Sequence, residues 1–406
     1  MKKQLPSYIS TGEPDSFAMN TMKKRKPYII DQIIEANTCT SHQRDALLSL
    51  KQEILEGVIT DPFLESVLTP QVLEIDEIKT WKLAIKPYMG KSWLNIPFYF
   101  AEAYLYFRIL IAFGYFDQGS SFYLKDPFEP FKKRELHAKG GGLETGRLVI
   151  GTENSLQNPE EKYKTLIYNA LWGNRIDLSM FYIVEQSRHR ILASQNEKLL
   201  IDHTQRLIEL LQKSERIDVI LDNVGSELVC DLILARYFLS ASTKNTVHFH
   251  VKKHPVYVSD VTAKDVDETV DALVSEETWI LSIIGQELNN FMKHNRFHIH
   301  PHYFWNSALH YPDLPGEILG ELRKSDLIIL KGDVNYRRLL EDRKWEAWDH
   351  MAEIASYFPK PFATLRTMKS EIVVDIEKDR TEKLFHTDPH WLVNGERGII
   401  QVIKRK

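Results

Sequence analysis

The sequence predicts an α/β protein in which a helical N-terminal region packs on a largely parallel, Rossmann-like α/β/α sandwich. Three observations lead to this prediction. The first half of the chain carries apolar residues mainly at helical spacing. After about residue 215, short apolar runs alternate with helical patterns, which is typical of parallel strands joined by helical crossovers. No repeat or Pro/Ser-rich linker separates the two regions, 1–214 and 215–406, so we expect them to pack together.

The N-terminal region is expected to consist mainly of amphipathic helices. From Ser41 to Val58, leucine and isoleucine recur at helical spacing, Ser41 is the expected N-cap, and Gly57 lies where the helix would end. Similar spacing predicts further helices over Ala101–Phe113, Glu161–Leu171 and Ser187–Leu211.

The most apolar segment, Trp93 to Phe116, is predicted to be a helix buried within the protein. It contains Pro97, Glu102 and Arg108. A bilayer span of roughly 20 residues rarely combines an early proline, a carboxylate and a guanidinium. Because a buried charge needs a partner, we expect Glu102 and Arg108 to be paired inside the protein rather than to face a ligand pocket.

The C-terminal region is predicted to hold short strands separated by helices. The expected strands are Ile217–Leu221, Thr246–Val251, Val256–Val258, Phe297–His300, Asp326–Leu330, Ile372–Ile376 and Gly398–Ile403. Helical patterns occupy Ser226–Leu239, Ala263–Ser275, Pro315–Lys324 and Asn335–Phe358.

Composition argues against several classes of protein. Lys and Arg total 52 against 56 Asp and Glu in 406 residues, a net charge of −4, whereas dedicated nucleic-acid binders usually show a basic excess. Cys39 and Cys230 are too few for a disulfide framework or a four-cysteine zinc site. With no apolar signal core in Met1–Asp15, we expect a cytoplasmic protein with no membrane or nucleic-acid partner. The sequence leaves the oligomeric state open.

Carboxylates follow three of the predicted strands. Asp222, Asp260 and Asp333 each come within a few residues of the end of a strand. In open parallel sheets, ligands bind beyond the carboxyl ends of the strands. We therefore expect these three side chains to meet at one edge of the sheet.

The first of these strand ends suggests a metal beside an anion. Asp222 and Asp260 with the carbonyl of Asn223 would form an all-oxygen site, which hard cations such as Mg²⁺ and Mn²⁺ prefer. Gly225 and Ser226 then open a helix, whose free amides favour an anion such as phosphate. This combination suits phosphoryl chemistry. The competing interpretation is that Asp222 and Asn223 only cap the helix.

A basic segment near the C-terminus, Leu365–Glu371, is a second candidate for phosphate binding. Arg366 and Lys369 could neutralise a phosphate, and Thr367 could donate a hydroxyl hydrogen bond. The spacing alone is a weak indication, because an RxxK pattern is common on solvated faces.

Two other polar patterns are expected to be structural. His298, His300 and His302 alternate as on one face of a strand, but Pro301 interrupts the run and no cysteine accompanies it. Gly140–Arg147 lacks the GK[ST] ending of a phosphate-binding loop, so a flexible loop is the preferred interpretation.

The absence of a GxSxG motif disfavours an α/β-hydrolase. No GxGxxG turn follows the first strand, which weakens a dinucleotide-binding interpretation.

Several segments together resemble the metal-dependent damage-control phosphatases. The resemblance is closest to the sugar-phosphate phosphatases of subfamily III, which carry an RTxK motif near the C-terminus, here Arg366-Thr367-Met368-Lys369. It covers most of the chain. The segments that carry it are Ser92–Ile109, Leu171–Ser179, Leu221–Ala235, Val256–Thr262, Leu330–Leu339 and Leu365–Glu371.

This resemblance implies a function and a set of site residues. It implies hydrolysis of a small phosphorylated metabolite, such as fructose 1-phosphate or fructose 6-phosphate, with a divalent Mn, Mg, Co or Ni ion. Asp222, Asn223 and Asp260 would be the metal-binding and catalytic residues. The substrate would be bound by Glu227, Asp333, Arg366, Thr367, Met368, Lys369 and Ser370. One position departs from the family pattern, because Glu396 stands where a lysine is often found, and the neighbouring Arg397 could substitute.

Two alternatives stay open at this point. Some members of the family are described as S-adenosylmethionine-dependent methyltransferases of protein glutamates, and the lack of a glycine-rich loop after Leu221 counts against that activity here. The second alternative is a sugar-phosphate sensor without catalysis. For a phosphatase, the nucleophile would be either Asp222 or an activated water molecule.

Overall fold

The computed structural model describes residues 5–63, 73–173 and 198–404. Its centre is a seven-stranded sheet in the order β1-β7-β6-β5-β2-β3-β4. Strands β2 to β6 are parallel, whereas β7 pairs antiparallel with β6 and parallel with β1. The strands are β1 (Leu199–Asp202), β2 (Arg216–Ile220), β3 (Thr246–Lys252), β4 (Phe297–His302), β5 (Leu327–Lys331), β6 (Phe362–Thr367) and β7 (Gly398–Ile403).

Helices surround this sheet. Those that precede β1 are α1 (Phe17–Asn20), α2 (Lys26–Ala36), α3 (Ser41–Glu56), α4 (Ile75–Ile85), α5 (Phe98–Phe113), α6 (Glu129–His137), α7 (Gly142–Ser155) and α8 (Pro159–Trp172). Those that follow are α9 (Thr204–Lys213), α10 (Ser226–Ala241), α11 (Ala263–Val274), α12 (Trp279–Lys293), α13 (Gly316–Leu322), α14 (Gly332–Leu339), α15 (Met351–Ile354) and α16 (Lys378–Thr387).

Apolar side chains form one core on each face of the sheet. In β5, Ile328 and Leu330 join the core that contains α2 to α5 and α13 to α15, while Leu327 and Ile329 join the core that contains α7 to α12. Alternate residues of a strand point to opposite faces, so a strand that is apolar throughout requires cover on both sides. Helices from the N-terminal region supply cover on both faces, which confirms the predicted α/β sandwich. The domain boundary at residue 214 stays a prediction.

The observed elements correct several details of the predicted pattern. The N-cap of α3 is Thr40, whose side chain and that of Gln43 form a capping box, rather than Ser41. The predicted helix Ser187–Leu211 lies partly outside the described residues, and its Leu199–Asp202 portion is strand β1, because pairing with β7 overrides helical spacing. Helix α12 was not predicted.

Three predictions in the C-terminal region were wrong. Val256–Val258 is a turn in which Tyr257 and Val258 adopt left-handed backbone angles. Ile372–Ile376 is buried but irregular, and the strand that precedes it, β6, was not predicted. Asn335–Phe358 is not a continuous helix, since α14 ends at Leu339 and α15 begins at Met351. For Ile372–Ile376, apolar content indicated burial correctly but not the backbone conformation.

The charges of the apolar segment are paired inside the protein, as predicted. In α5, Glu102 lies 2.6 Å from Lys26 Nζ and 2.5 Å from Arg337 Nη1, while Arg108 lies 2.8 Å from Glu53. The first network joins two N-terminal helices to α14 beside the sheet. Across the described ranges, no helix is both long and apolar enough to cross a membrane.

Substitution Glu102→Gln should destabilise the fold. Burial alone would raise the pKa of this carboxyl, but Lys26 and Arg337 lower it to about 2 from 4.5. Removing one partner of a buried ion pair costs about 3–5 kcal/mol, so the unfolding free energy should fall by about this amount. Urea denaturation at pH 7 measures the change. The wild-type contribution should be present above pH 4.5 and should be lost as the pH falls toward 2.

The control is Asp76→Asn, which breaks the exposed pair with Lys79 on α4. It should change the unfolding free energy by less than about 1 kcal/mol. Equal effects of the two substitutions would contradict the role given to the buried network.

Candidate active site

The candidate site lies where the strand order of the sheet reverses. From β2 the chain moves outward to β3 and β4, and it then returns to β5 on the other side of β2. In open parallel sheets, the crevice at such a switch point binds ligands beyond the carboxyl ends of the strands. Asp222 follows β2, and Asp333 follows β5. Both residues therefore border this crevice.

Backbone pairing brings Asp260 to Asp222. The amide of Val261 donates to the carbonyl of Asp222 at 2.9 Å, and Asn223 forms a β-bridge with Asp260. The side chain of Asn223 accepts a hydrogen bond of 2.7 Å from Ser259 Oγ. Asp260 thus reaches the site from a turn beyond β3, not from the end of the predicted strand. The three expected metal-binding residues nevertheless lie together.

The two aspartates are buried and short of positive charge. Asp222 is 6% exposed and Asp260 is 1% exposed. Burial, followed by the charges of Glu227 and Asp260, raises the pKa of Asp222 well above its ordinary value. Burial also raises the pKa of Asp260, although Lys252 lies 3.1 Å away and lowers it. Asp222 Oδ2 accepts from Asn223, but Oδ1 has no hydrogen-bond partner among the described residues.

Gly332 makes room for the Asp222 side chain. This residue opens α14 directly after β5, with a φ of +79° that non-glycine residues rarely adopt. A Cβ atom placed there would lie 1.8 Å from Asp222 Oδ2. The carboxylate therefore occupies space that any other residue at position 332 would fill.

A buried network fixes Glu227 in the first turn of α10. Its carboxylate accepts a hydrogen bond of 3.2 Å from Asn223 and lies 3.3 Å from Lys331 Nζ. Lys331 also binds Asp231 at 2.8 Å. Burial raises the pKa of Asp231, while Lys331 lowers it. Lys331, Asp231 and Lys252 were not predicted as site residues. A lysine inside an apolar strand, as at position 331, is the signal that could have found this network.

Asp333 organises the loop that carries the RTMK segment. Its Oδ1 accepts hydrogen bonds from Arg366 Nε at 2.7 Å, from Ser370 Oγ at 3.0 Å and from the Lys369 amide at 3.4 Å. The guanidinium of Arg366 also stacks over the ring of Tyr336, 4.2 Å from its centroid. These bonds give the loop a fixed backbone.

The RTMK residues divide into buried supports and one exposed cation. Arg366 and Met368 are fully buried, and Met368 belongs to an apolar core. Thr367 is half-buried. Lys369 is exposed, and its charge lowers the pKa of Asp222. The structure therefore gives Arg366 and Met368 the role of holding the loop, and their direct contact with substrate stays a prediction.

The neighbour of Glu396 is engaged with a carboxylate, and its substitution for the family lysine stays a prediction. The Arg397 guanidinium pairs with Asp388, and the Arg397 carbonyl accepts a 2.8 Å hydrogen bond from the Met368 amide. The segment therefore runs beside the RTMK loop, but its arginine is already bound to a carboxylate.

The histidines are engaged with one another and with carboxylates, as expected for structural residues. His248 Nδ1 lies 2.8 Å from His300 Nε2, and His250 Nε2 lies 2.8 Å from Asp218. His302 pairs with a glutamate of α13 at 2.7 Å. In the part of the chain that the structure describes, no group of three or more His, Cys, Asp or Glu residues could hold a metal ion. The candidate metal centre would thus depend on two aspartates and the amide of Asn223.

The glycine-rich segment is not the flexible loop that the sequence suggested. Gly142 begins α7 and packs against the turn at Gly225, where an added Cβ atom would lie 2.9 Å from the Gly225 carbonyl carbon and oxygen. One turn later, Thr145 Oγ lies 3.0 Å from Ser226 Oγ. The glycine therefore permits close packing of α7 against the start of α10.

Comparison with known proteins identifies the family of this chain. The model of the damage-control phosphatase ARMT1-like domain matches residues 21–384. The chain belongs to this family. Proteins named damage-control phosphatase ARMT1 from Mus musculus and Xenopus laevis are 28% and 29% identical, over 98% of this chain and 98% of each relative. The Danio rerio protein of that name is 30% identical over 76% of this chain and 74% of its own length.

A solved structure supports the fold. A DUF89 family protein from Pyrococcus horikoshii has a TM-score of 0.51 and 17% sequence identity, with 96% of this chain and 98% of that chain covered. Family membership confirms the predicted resemblance and the prediction of a phosphatase enzyme. Damage-control phosphatases are in general metal-dependent, and a phosphatase takes a phosphorylated substrate.

Substitution Gly332→Ala should disrupt the carboxylate cluster. The methyl group would collide with Asp222 and would strain the backbone at positive φ, at a cost of about 1–3 kcal/mol. We expect a lower melting temperature and loss of any rise in that temperature on adding Mn²⁺. Differential scanning fluorimetry with and without the metal measures both.

Gly320→Ala in α13 is the matched control, because no atom lies within 4 Å of its added Cβ. Alanine favours a helix interior over glycine, so this variant should be equally or more stable. A Gly332→Ala variant that responds to Mn²⁺ like the control would contradict the arrangement described for Asp222.

Proposed function

We propose that this protein hydrolyses small phosphate esters, with sugar phosphates such as fructose 1-phosphate or fructose 6-phosphate as the expected substrates. The observation that carries the proposal is the buried pair Asp222 and Asp260 at the switch point of the sheet. The charge of Lys369 lowers the pKa of Asp222, which supports a role for this lysine at the site. Membership in a phosphatase family supports this assignment.

The site residues fit a divalent cation. Asp222 Oδ1 is buried without a hydrogen-bond partner among the described residues, and an unpaired buried carboxylate is unfavourable. Asp222, Asn223 and Asp260 offer oxygen donors, which Mg²⁺ and Mn²⁺ prefer over softer ligands. When bound there, such a cation would neutralise charge on the phosphoryl oxygens.

The remaining residues would bind and orient the substrate. Lys369 would neutralise a phosphate oxygen from the exposed side, since its charge acts on Asp222. Asp333 would keep the Lys369 backbone in place through the hydrogen bonds to that loop. Lys331 would hold Glu227 beside Asn223. Most catalysis of phosphoryl transfer comes from positioning and charge stabilisation, which this arrangement would provide.

Substitution Asp222→Asn or Asp260→Asn should abolish metal-dependent phosphate release, with a fall in kcat/KM of more than about 10²-fold. Each removes a negative ligand, and Asp222→Asn also removes a buried charge that Glu227 and Asp260 oppose. In the presence of EDTA, we therefore expect the unfolding free energy of Asp222→Asn to equal or exceed that of wild type. Urea denaturation and a phosphate-release assay with Mn²⁺, Mg²⁺, Co²⁺ or Ni²⁺ measure the two effects.

Asp379→Asn on the exposed surface of α16 is the control for a lost carboxylate, and it should behave as wild type. Wild-type activity in either site variant at saturating metal would refute the metal-site assignment.

Substitution Lys369→Met should weaken substrate binding and leave metal binding intact. A hydrogen bond to a charged group contributes about 1.5–3 kcal/mol, so KM should rise by about 10- to 100-fold. The Mn²⁺-dependent shift in melting temperature should stay the same. Lys369→Arg should recover part of the affinity, and Lys383→Met on the exposed face of α16 is the control. An unchanged KM would remove Lys369 from the phosphate site.

A further inference from the structure

The loop that carries Asp260 has a strained backbone. The chain leaves β3 at Lys252 and returns to it at Val261, whose carbonyl accepts a 2.9 Å hydrogen bond from the Lys252 amide. Between these points, Tyr257 and Val258 have φ values of +50° and +72°. A β-branched residue at positive φ is an outlier, and such strain persists only where the surrounding structure holds it.

Packing against the N-terminal region holds this loop in place. The centroid of the Tyr257 ring lies 4.9 Å from that of Tyr106 in α5. Tyr257 and Val258 both pack against the apolar core that contains this helix. Strained non-glycine residues cluster at active sites and ligand clamps, so the loop is a candidate for a part in the function. The residue that directly follows the strained pair is Ser259.

Ser259 is bonded to the segment after β2 through both its backbone and its side chain. Its carbonyl accepts a 2.8 Å hydrogen bond from the Val224 amide. Its hydroxyl donates a 2.7 Å hydrogen bond to Asn223 Oδ1. The backbone bond fixes the position from which the Ser259 side chain starts, and the side-chain bond fixes the orientation of the Asn223 amide.

The orientation of Asn223 decides what its amide offers to the neighbouring carboxylates. Its Nδ2 donates to Asp222 Oδ2 at 2.6 Å and to Glu227 Oε2 at 3.2 Å. Both hydrogens of this nitrogen are thus used, and they bridge two groups of the same charge. In the opposite orientation, the amide oxygen would face both carboxylates and repel them. The Ser259 hydroxyl favours the observed orientation because it donates to the amide oxygen.

This orientation also determines which oxygens stay available for a cation. Asp222 accepts from Asn223 through Oδ2, so its buried Oδ1 is the oxygen that has no hydrogen-bond partner in the described ranges. Asn223 Oδ1 keeps a second lone pair besides the one that accepts from Ser259. Groups that bond to metal ligands in this way orient the ligands and raise metal affinity.

We propose that Ser259 is a positioning residue of this site. Its hydroxyl orients Asn223, and Asn223 in turn holds the Asp222 carboxylate with one oxygen open to a divalent cation. The strained turn at Tyr257 and Val258 keeps the hydroxyl in reach of Asn223. The inference rests on the proposed function, since it takes the metal site from it.

The test measures the Mn²⁺ affinity of the full-length protein by isothermal titration calorimetry. Ser259→Ala should raise the Kd by about 10-fold, because loss of a group that orients a metal ligand typically costs this much or more. Ser259→Thr keeps a hydroxyl and should recover part of the affinity. Ser282→Ala is the matched control, since it removes a half-buried serine hydroxyl of α12 that donates a 2.8 Å hydrogen bond to the Val274 carbonyl. It should leave the Kd unchanged.

A double-mutant cycle in EDTA provides a second readout, which separates this role from a general effect on folding. Asn223→Ala removes the amide through which Ser259 acts. The shift in the midpoint of urea denaturation that Ser259→Ala causes should therefore be present in the wild-type background and absent in the Asn223→Ala background.

Three results would overturn the inference: an unchanged Kd in Ser259→Ala, no recovery in Ser259→Thr, or equal urea shifts in the two backgrounds. If the wild type binds Mn²⁺, any of these results leaves the proposed function standing and removes Ser259 from the site. A wild type that binds none of Mn²⁺, Mg²⁺, Co²⁺ and Ni²⁺ would overturn the metal site of the proposed function itself.

Discussion

Negative charge concentrated at one edge of the sheet is the constraint on which the site depends. Asp222 and Asp260 are both withdrawn from water, and each raises the free-energy cost of ionising the other. Two buried lysines at the ends of neighbouring strands, Lys252 and Lys331, offset part of this negative charge. It also leaves the space at Gly332 empty for one of the carboxylates. A cation at the proposed site would offset the negative charge that remains.

Other buried charges of the protein show what a completed network looks like. Glu102 meets two cations, and Asp342 meets Arg337 through two hydrogen bonds. These groups hold helices together and have no need of a ligand. Asp222 differs from these groups, because its Oδ1 has no hydrogen-bond partner in the described part of the chain. This difference supports the proposal that Asp222 binds a ligand.

The sequence predicted the sandwich because strands such as β5 are apolar on both faces and alternate with helical patterns. It placed Asp222 and Asp260 at one site because both follow buried runs. It could not reveal that Arg366 donates a hydrogen bond to Asp333, since that bond joins two strand ends 33 residues apart in sequence. The packing of Gly142 against the turn at Gly225 was equally hidden, because only the tertiary structure brings α7 to that turn. Local spacing carries no information on such contacts.

The position of β7 has a consequence for the order in which the chain folds. Strand β1 pairs only with β7 in the described sheet, and β7 separates it from β6. The ribosome therefore adds almost two hundred further residues after β1 before it completes the partner strand β7. Until residues 398–403 leave the ribosome, β6 presents an open edge, of the kind that pairs with other chains. Nascent chains of this protein should need protection at that edge late in synthesis.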